Sequence, residues 1–322
     1  MAIPFLFNPL GTGGKIIEDG TEEHPFLIRD VLDFIVFRNA ISNGETFTDV
    51  HHKLMSDIDL TGVTFVPQTG TENYQGNFDG NFKVVHNFSC SHFNTGSGGF
   101  FILVSGSIRN LGLENIYIDN KAGTTNYGNG GLTANIGTNG LIENCYATGT
   151  ILPPNGRTGG IAGYNNGMIK NCWTNVFVDG TEKSTARIGG IFGDGNGKTE
   201  NCIALGNIKS LNTYHAGIAS YPMANIVQNC VAAMNIIDVP SSSSSGRVNG
   251  GNIVGINNYA LDTMLLKGAI VANGTTTSPH GANATISQLK SKSFYRDVLG
   301  WDMENVWEID DGNGFPTLKG FK

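Results

Sequence analysis

The sequence predicts an all-β fold, a right-handed single-stranded parallel β-helix (a solenoid of short strands) with a short capping helix at each end. Three observations point there. Two phrases recur with a period of roughly 30 residues. Glycine supplies 45 of the 322 residues, and only 15% are charged. Glycine and asparagine in such abundance, without a collagen period, imply many tight turns and therefore many short strands.

The first phrase is Gly-Gly-Ile-x-Gly, at 159–163 and 189–193, with looser copies starting at Gly130, Ala216 and Gly251. The second is apolar-x-Asn-Cys, which ends in Asn144-Cys145, Asn171-Cys172, Asn201-Cys202 and Asn229-Cys230. Earlier forms end in Asn110-Leu111 and Asn87-Phe88. The four cysteines stand 27, 30 and 28 residues apart. A unit of that length is too short for a strand plus a crossover helix but suits one coil of two or three strands. About six to eight coils, stacked at a strand spacing of about 4.8 Å, give a rod about 30–40 Å long.

Each recurrent position then has a physical role. The apolar residue and the cysteine fill a narrow interior, where a free thiol packs as a small hydrophobe. Asparagine sits at a bend because it tolerates left-handed backbone, and its amide can bond the asparagine one coil on. The Gly-Gly pair permits a sharp turn and close approach of coils. The columns Asn144, Asn171, Asn201, Asn229 and Cys145, Cys172, Cys202, Cys230 are thus structural ladders.

A solenoid leaves two apolar ends to be covered. Residues 30–41 read as a helix with Asp30 as N-cap. Thr285 and Gln288 form a capping box, opening a helix expected to run to about Gly300. Both helices read as plugs over the open core. The chain divides into an extended docking peptide (1–19), an N-terminal cap with helix (20–60), the β-helix repeats (61–284) and a C-terminal helix and cap motif (285–322).

In order along the chain stand Gly20-Thr21, Pro25–Ile28 before a helix, Asp57-Ile58-Asp59-Leu60, Phe78-Asp79-Gly80-Asn81, the two repeats, Gly300–Met303, Val306–Ile309 and Phe315–Leu318. This ordered set resembles the GLUG-motif β-helix proteins and covers most of the chain. The resemblance implies a β-helix used as a surface or adhesive stalk. Many members carry secretion signals and wall anchors. Here the N-terminus lacks a basic n-region, and Pro4, Asn8 and Pro9 interrupt its apolar stretch, so it does not read as a signal.

Chemistry is sparse. Cysteines stacked on adjacent coils have parallel Cα–Cβ vectors, poor for a disulfide, and they lack zinc-site spacing. No metal site and no cofactor are expected. Glu143 and Glu200 share a slot two coils apart with Lys170 between them, which reads as a solvated ladder of alternating charge rather than a glycosidase acid pair. Asp57, Asp59 and Asp79 read as turn-bonding groups. The Asp194-Gly-Asn-Gly and 310–314 segments faintly resemble calcium loops but lack the distal Glu. His51-His52 reads as a surface pair without a third ligand.

Aromatic residues carry the functional expectation. The slot after the cysteine holds Tyr146, Trp173, Ile203 and Val231. If the cysteine points inward, alternation sends this slot outward as an apolar contact stripe; if the Asn bend flips the parity, these residues are core. Tyr127, Tyr164, Tyr214, Tyr221 and Tyr259 fall at coil edges, well placed for recognition. Ile3, Pro4, Phe5, Leu6 and Phe7 precede the cap motif and read as a docking peptide for neighbouring subunits.

A net charge of −7 disfavours nucleic acid, and no apolar run is long enough to span a bilayer. The expected function is a non-enzymatic, rod-like adhesive or structural protein. A phage virion component (fibre, spike or capsid-attached protein) contacting the host surface leads, ahead of a bacterial cell-surface adhesin and a polysaccharide depolymerase. Its partners would be other virion or surface proteins through the N-terminus, a host cell-surface glycan and copies of itself, as a trimer. The expected location is the virion or a bacterial cell surface.

Overall fold

The computed structural model describes residues 18–63, 72–91, 97–120, 127–153, 156–181, 186–211, 214–223, 226–240 and 244–321. The docking peptide Ile3–Phe7 lies outside them. The chain coils into a parallel β-solenoid of about seven turns. A middle turn shows the plan: strands Leu141–Glu143, Tyr146–Leu152, Gly156–Gly159 and Ala162–Asn165, each paired in parallel with its counterpart about one repeat later. The first two faces merge into one 20-stranded sheet, and the other two form smaller sheets of four and six strands.

The interior is a set of stacked columns. Ile108, Ile142 and Ile169 lie in register and are fully buried. Phe100, Leu132, Ile161, Ile191, Ile218 and Val248 form another column, held by main-chain bonds such as Ile161 N to Ile191 O at 2.9 Å. This second column corrects the repeat reading. The last copy of the Gly-Gly-Ile phrase is Gly246-Arg247-Val248, where Ile218 N donates to Val248 O at 3.0 Å, and Gly251-Asn252-Ile253 is only a turn.

The asparagines adopt left-handed backbone as expected, with φ between 51° and 54° at Asn110, Asn144, Asn171, Asn201 and Asn229. Their amides bond coil to coil, from Asn144 to Asn110 (3.2 Å), Asn171 to Asn144 (3.1 Å), Asn201 to Asn171 (3.2 Å) and Asn257 to Asn229 (2.9 Å). Asn87 does not belong to this column. It bonds Asp59 at 2.8 Å and receives Asn115 at 2.6 Å, forming a second ladder at a different corner. Asp79 heads the main ladder, accepting from Asn110 at 3.0 Å, while Asp57 accepts from Val84 N.

The N-terminal helix spans Val31–Ser42, with the Asp30 carboxylate accepting from the N–H groups of Leu32 and Asp33. It is a plug: Phe34 stacks on Phe100 at 5.2 Å, and Phe37 packs on Phe78 at 5.5 Å and His52 at 4.7 Å. His52 is therefore buried, contrary to its surface reading, with Nδ1 3.1 Å from the Tyr74 hydroxyl. The strand alternation that puts His51 half outside puts His52 inside.

The C-terminal helix is far shorter than expected. Thr285 and Gln288 form the capping box, yet the α-helix covers only Ile286–Leu289, and a π-helical turn follows at Phe294–Val298. The reason is competition for carbonyls. Leu289 O accepts from the Tyr295 hydroxyl at 2.8 Å and Lys290 O from Gly312 N at 2.7 Å. Those are oxygens a continuing helix needs.

Candidate functional site

The stripe residues are outward-facing but not exposed. The slot after them points inward: a Cβ on Gly131 would meet Ala147 Cβ at 3.0 Å, and Thr174 Oγ1 donates to Gly190 O across the interior at 2.9 Å. Parity is therefore not flipped, and Tyr146, Trp173, Ile203 and Val231 lie on the outside of the coil. Yet Tyr146 is only 4% exposed, and Ile203 and Val231 are fully buried.

The chain's own C-terminal segment covers them. Phe294 packs on Tyr259 at 5.1 Å, and Trp301 Nε1 donates to Asn229 O at 2.9 Å. Trp301 stacks on Trp307 at 4.5 Å, and Phe321 meets both Tyr146 (4.9 Å) and Phe82 (5.6 Å). The segment is thus a strap along the side of the solenoid rather than a plug on its end. Under it Tyr146 and Trp173 stack at 4.4 Å with 9° between rings. The Tyr146 hydroxyl donates to Glu114 at 2.8 Å, and burial, reinforced by that carboxylate, pushes its pKa up. The contact-stripe reading fails for the free chain, because the stripe's partner is already bound.

The cysteine column carries no chemistry that geometry would favour. All five thiols are free. Each Sγ of the column contacts the carbonyl two residues back, at 3.2, 3.2, 3.2 and 3.1 Å for Cys145, Cys172, Cys202 and Cys230. Burial raises the pKa of Cys145 and Cys202, and lifts that of Cys90 to about 12 against the pull of Arg38. A protonated, enclosed thiol is a poor nucleophile. The acids are occupied too. Glu143 lies 3.5 Å from Arg109 and 3.8 Å from Lys170, and Glu200 lies 2.5 Å from Lys198 and 4.0 Å from Lys170. This is the alternating ladder the sequence suggested.

What the coil edges do bring together is a cluster of three tyrosines with groups sequence reasoning passed over. In one row Arg157, Arg187 and Tyr214 stand side by side on adjacent coils; in the next, Tyr164, Asp194 and Tyr221 do so. Two guanidinium groups one strand spacing apart repel. Asp194, 8% exposed, resolves this by accepting from Arg157 Nε at 2.9 Å and from Arg187 Nη1. Each arginine also covers a ring, Arg157 over Tyr164 and Arg187 over Tyr221, both at 4.6 Å. Tyr214 meets Tyr221 edge-on at 5.1 Å. Such contacts contribute about 0.5–1 kcal/mol each where solvent reaches them.

The outcome is a patch with aromatic rims around two arginines and the carboxylate they share, on an acidic protein. Tyr221 is 38% exposed, and Tyr164 and Tyr214 are half-buried. Asp194 is engaged by two guanidinium groups, which argues against the calcium-loop reading. The signal for the arginines was present: Arg157 and Arg187 both stand two residues before a Gly-Gly pair. Tyr259 belongs instead to the strap contact, and the side chain of Tyr127 lies outside the described residues.

No family model matches the chain. Halomucin of Haloquadratum walsbyi is 29% identical over 166 residues, which are 48% of this chain and 2% of Halomucin. A crystal structure from Bacteroides ovatus, of a protein provisionally named an immunoglobulin A1 protease, superposes with a TM-score of 0.76 at 25% identity. The match covers 93% of this chain and 94% of that one. The chain thus shares a β-solenoid fold with that protein over nearly its whole length, and spans a small fraction of Halomucin.

Proposed function

We propose that the chain is a non-enzymatic adhesive or structural module of an extracellular protein, and that the Tyr164–Tyr214–Tyr221 cluster is its contact surface. The cluster itself carries the reading. It brings together aromatic rings from several coils, pinned by guanidinium and ring contacts, part-exposed and beside charge, the combination that gives contact area at low entropic cost. The enclosed thiols and cation-paired carboxylates support binding over catalysis. The likeness to Halomucin favours an extracellular setting, and the ordered cap motifs favour kinship with the GLUG-motif proteins. Between a virion and a cell surface the virion rests on the sequence argument alone, since neither relative comes from a phage. Among the described residues no helix is long and apolar enough to cross a membrane.

The test is retention of the labelled chain on immobilised gastric mucin, against an albumin surface. Wild type should be retained, and the Tyr164→Ala/Tyr221→Ala variant should lose about tenfold or more in apparent affinity. Absence of retention overturns the adhesive reading, and equal retention of the variant overturns the patch. The peptide Ile3–Phe7 is proposed as the element that joins the module to other copies or partners. Deleting residues 1–14 should abolish any assembly seen by light scattering, and unchanged assembly would exclude that role.

A further inference from the structure

Beside the strap, the broad sheet keeps an open groove of about 450 Å³. Its residues come from four successive coils and fall into two outward rows. One row holds Asn115, Thr148 and Asn175; the other holds Thr150, Phe177 and Asn207 in direct register, and Tyr117 continues that second row one coil beyond the lining. Tyr117 and Phe177 are 43% and 40% exposed, unusual for rings in a sheet whose interior is so well filled. They stand two coils apart, about 9.6 Å. Between the rows the floor is bare backbone. A Cβ at Gly149 would strike Ile116 O at 2.2 Å, and one at Gly206 would strike Val176 O at 1.9 Å, so neither position tolerates a side chain.

We propose that this groove binds a neutral polysaccharide chain running parallel to the solenoid axis. Three features specify that ligand. A hexose ring offers an apolar C–H face to an aromatic ring and a rim of hydroxyls to amides and hydroxyls, and the groove sets one row of each kind side by side. A β-linked hexose chain advances about one strand spacing per sugar, about 5 Å. Rings on alternate coils therefore meet alternate sugars, while the polar row offers one group per coil, the amide oxygen of Asn115, the hydroxyl of Thr148 and the amide of Asn175. Among the described residues the lining contains the carboxylate of Glu114 and no lysine or arginine, which disfavours an anionic chain. Glu114 is itself held by the Tyr146 hydroxyl at 2.8 Å and lies 3.4 Å from His86. The strap that buries Tyr146 thereby fixes one wall of the groove.

This inference rests on the chain being a contact module, but it places a second site away from the tyrosine–arginine cluster. Cellohexaose, mannohexaose and chitohexaose serve as probes, with a hexamer of polygalacturonate as the anionic comparison, titrated into the full chain by heteronuclear NMR. At least one neutral hexasaccharide should shift amides of residues 114–117, 148–150 and 175–177. Phe177→Ala and Asn175→Ala should each weaken that binding about tenfold, and Tyr221→Ala should leave it unchanged. No shift with any neutral probe, stronger binding of the anionic hexamer, or equal binding by the Phe177 and Asn175 variants overturns the proposal. Since mucin retention reads the tyrosine cluster, loss of hexasaccharide binding with retention intact condemns the groove alone.

Discussion

Left-handed asparagine recurs along this chain because one residue meets two needs at each bend. It accepts a φ near 52° that costs most side chains about 1–2 kcal/mol, and it supplies an amide to the coil above. Asn171 stands mid-ladder, donating to Asn144 and accepting from Asn201. Asn171→Ala loses both functions and should destabilise the protein by about 2 kcal/mol in urea unfolding, while Asn171→Gly, which keeps the backbone relaxed, should cost clearly less. His52 offers a second residue-scale test. Burial drives its pKa down to about 3, aided by His51, against about 6.5 in the unfolded chain. The unfolded state therefore binds the extra proton, so His52's contribution is complete above pH 6.5 and is lost as pH falls from 6.5 toward 3. Replacing His52 with Gln should flatten this part of the stability–pH profile, and an unchanged slope would show that other groups govern it.

At the scale of elements, the two ends of the solenoid are closed by different means. An aromatic helix covers the first coil. The last coil is closed by Arg247, which occupies the place of the second glycine in the Gly-Gly-Ile phrase. Its guanidinium donates to Leu261 O (3.2 Å), His280 O (3.1 Å), Gly281 O (3.1 Å) and Asn283 Oδ1 (2.6 Å). Arg247→Gly would restore the repeat phrase yet orphan those acceptors. It should cost about 3 kcal/mol and speed amide exchange between residues 258 and 284; protection equal to wild type would refute the plug. The strap is the second element-scale device. Trp301 is 2% exposed, and Trp301→Ala should cost about 3–5 kcal/mol and expose the Tyr146–Val231 face, read as increased binding of a hydrophobic dye.

Across the whole molecule, the repeat was legible in the sequence because a solenoid writes its structure locally. Each coil repeats the same bend, core residue and glycine, so Asn144, Cys145 and Gly160 announce their roles by spacing alone. The strap was not legible, since contacts such as Trp301 to Asn229 join residues 72 apart that share no period. Hence spacing left an outward stripe and a core column as alternatives for Tyr146 and Trp173, and gave no sign of the segment that covers them. The tyrosine cluster was half legible: the tyrosines stood at coil edges, but their grouping depends on registers such as Tyr164 beside Asp194 beside Tyr221, which loop lengths decide. The helix after Thr285 was over-read because a capping box fixes where a helix starts and says nothing of what competes for its carbonyls. The function proposed for the chain is contact without turnover. It is tested most directly by incubating the full chain in excess with human immunoglobulin A1 and with gastric mucin, then analysing both by intact-mass and reducing-end assays. Intact immunoglobulin and unchanged reducing ends are expected while the chain stays bound to mucin; new peptide fragments or new reducing ends would contradict the claim.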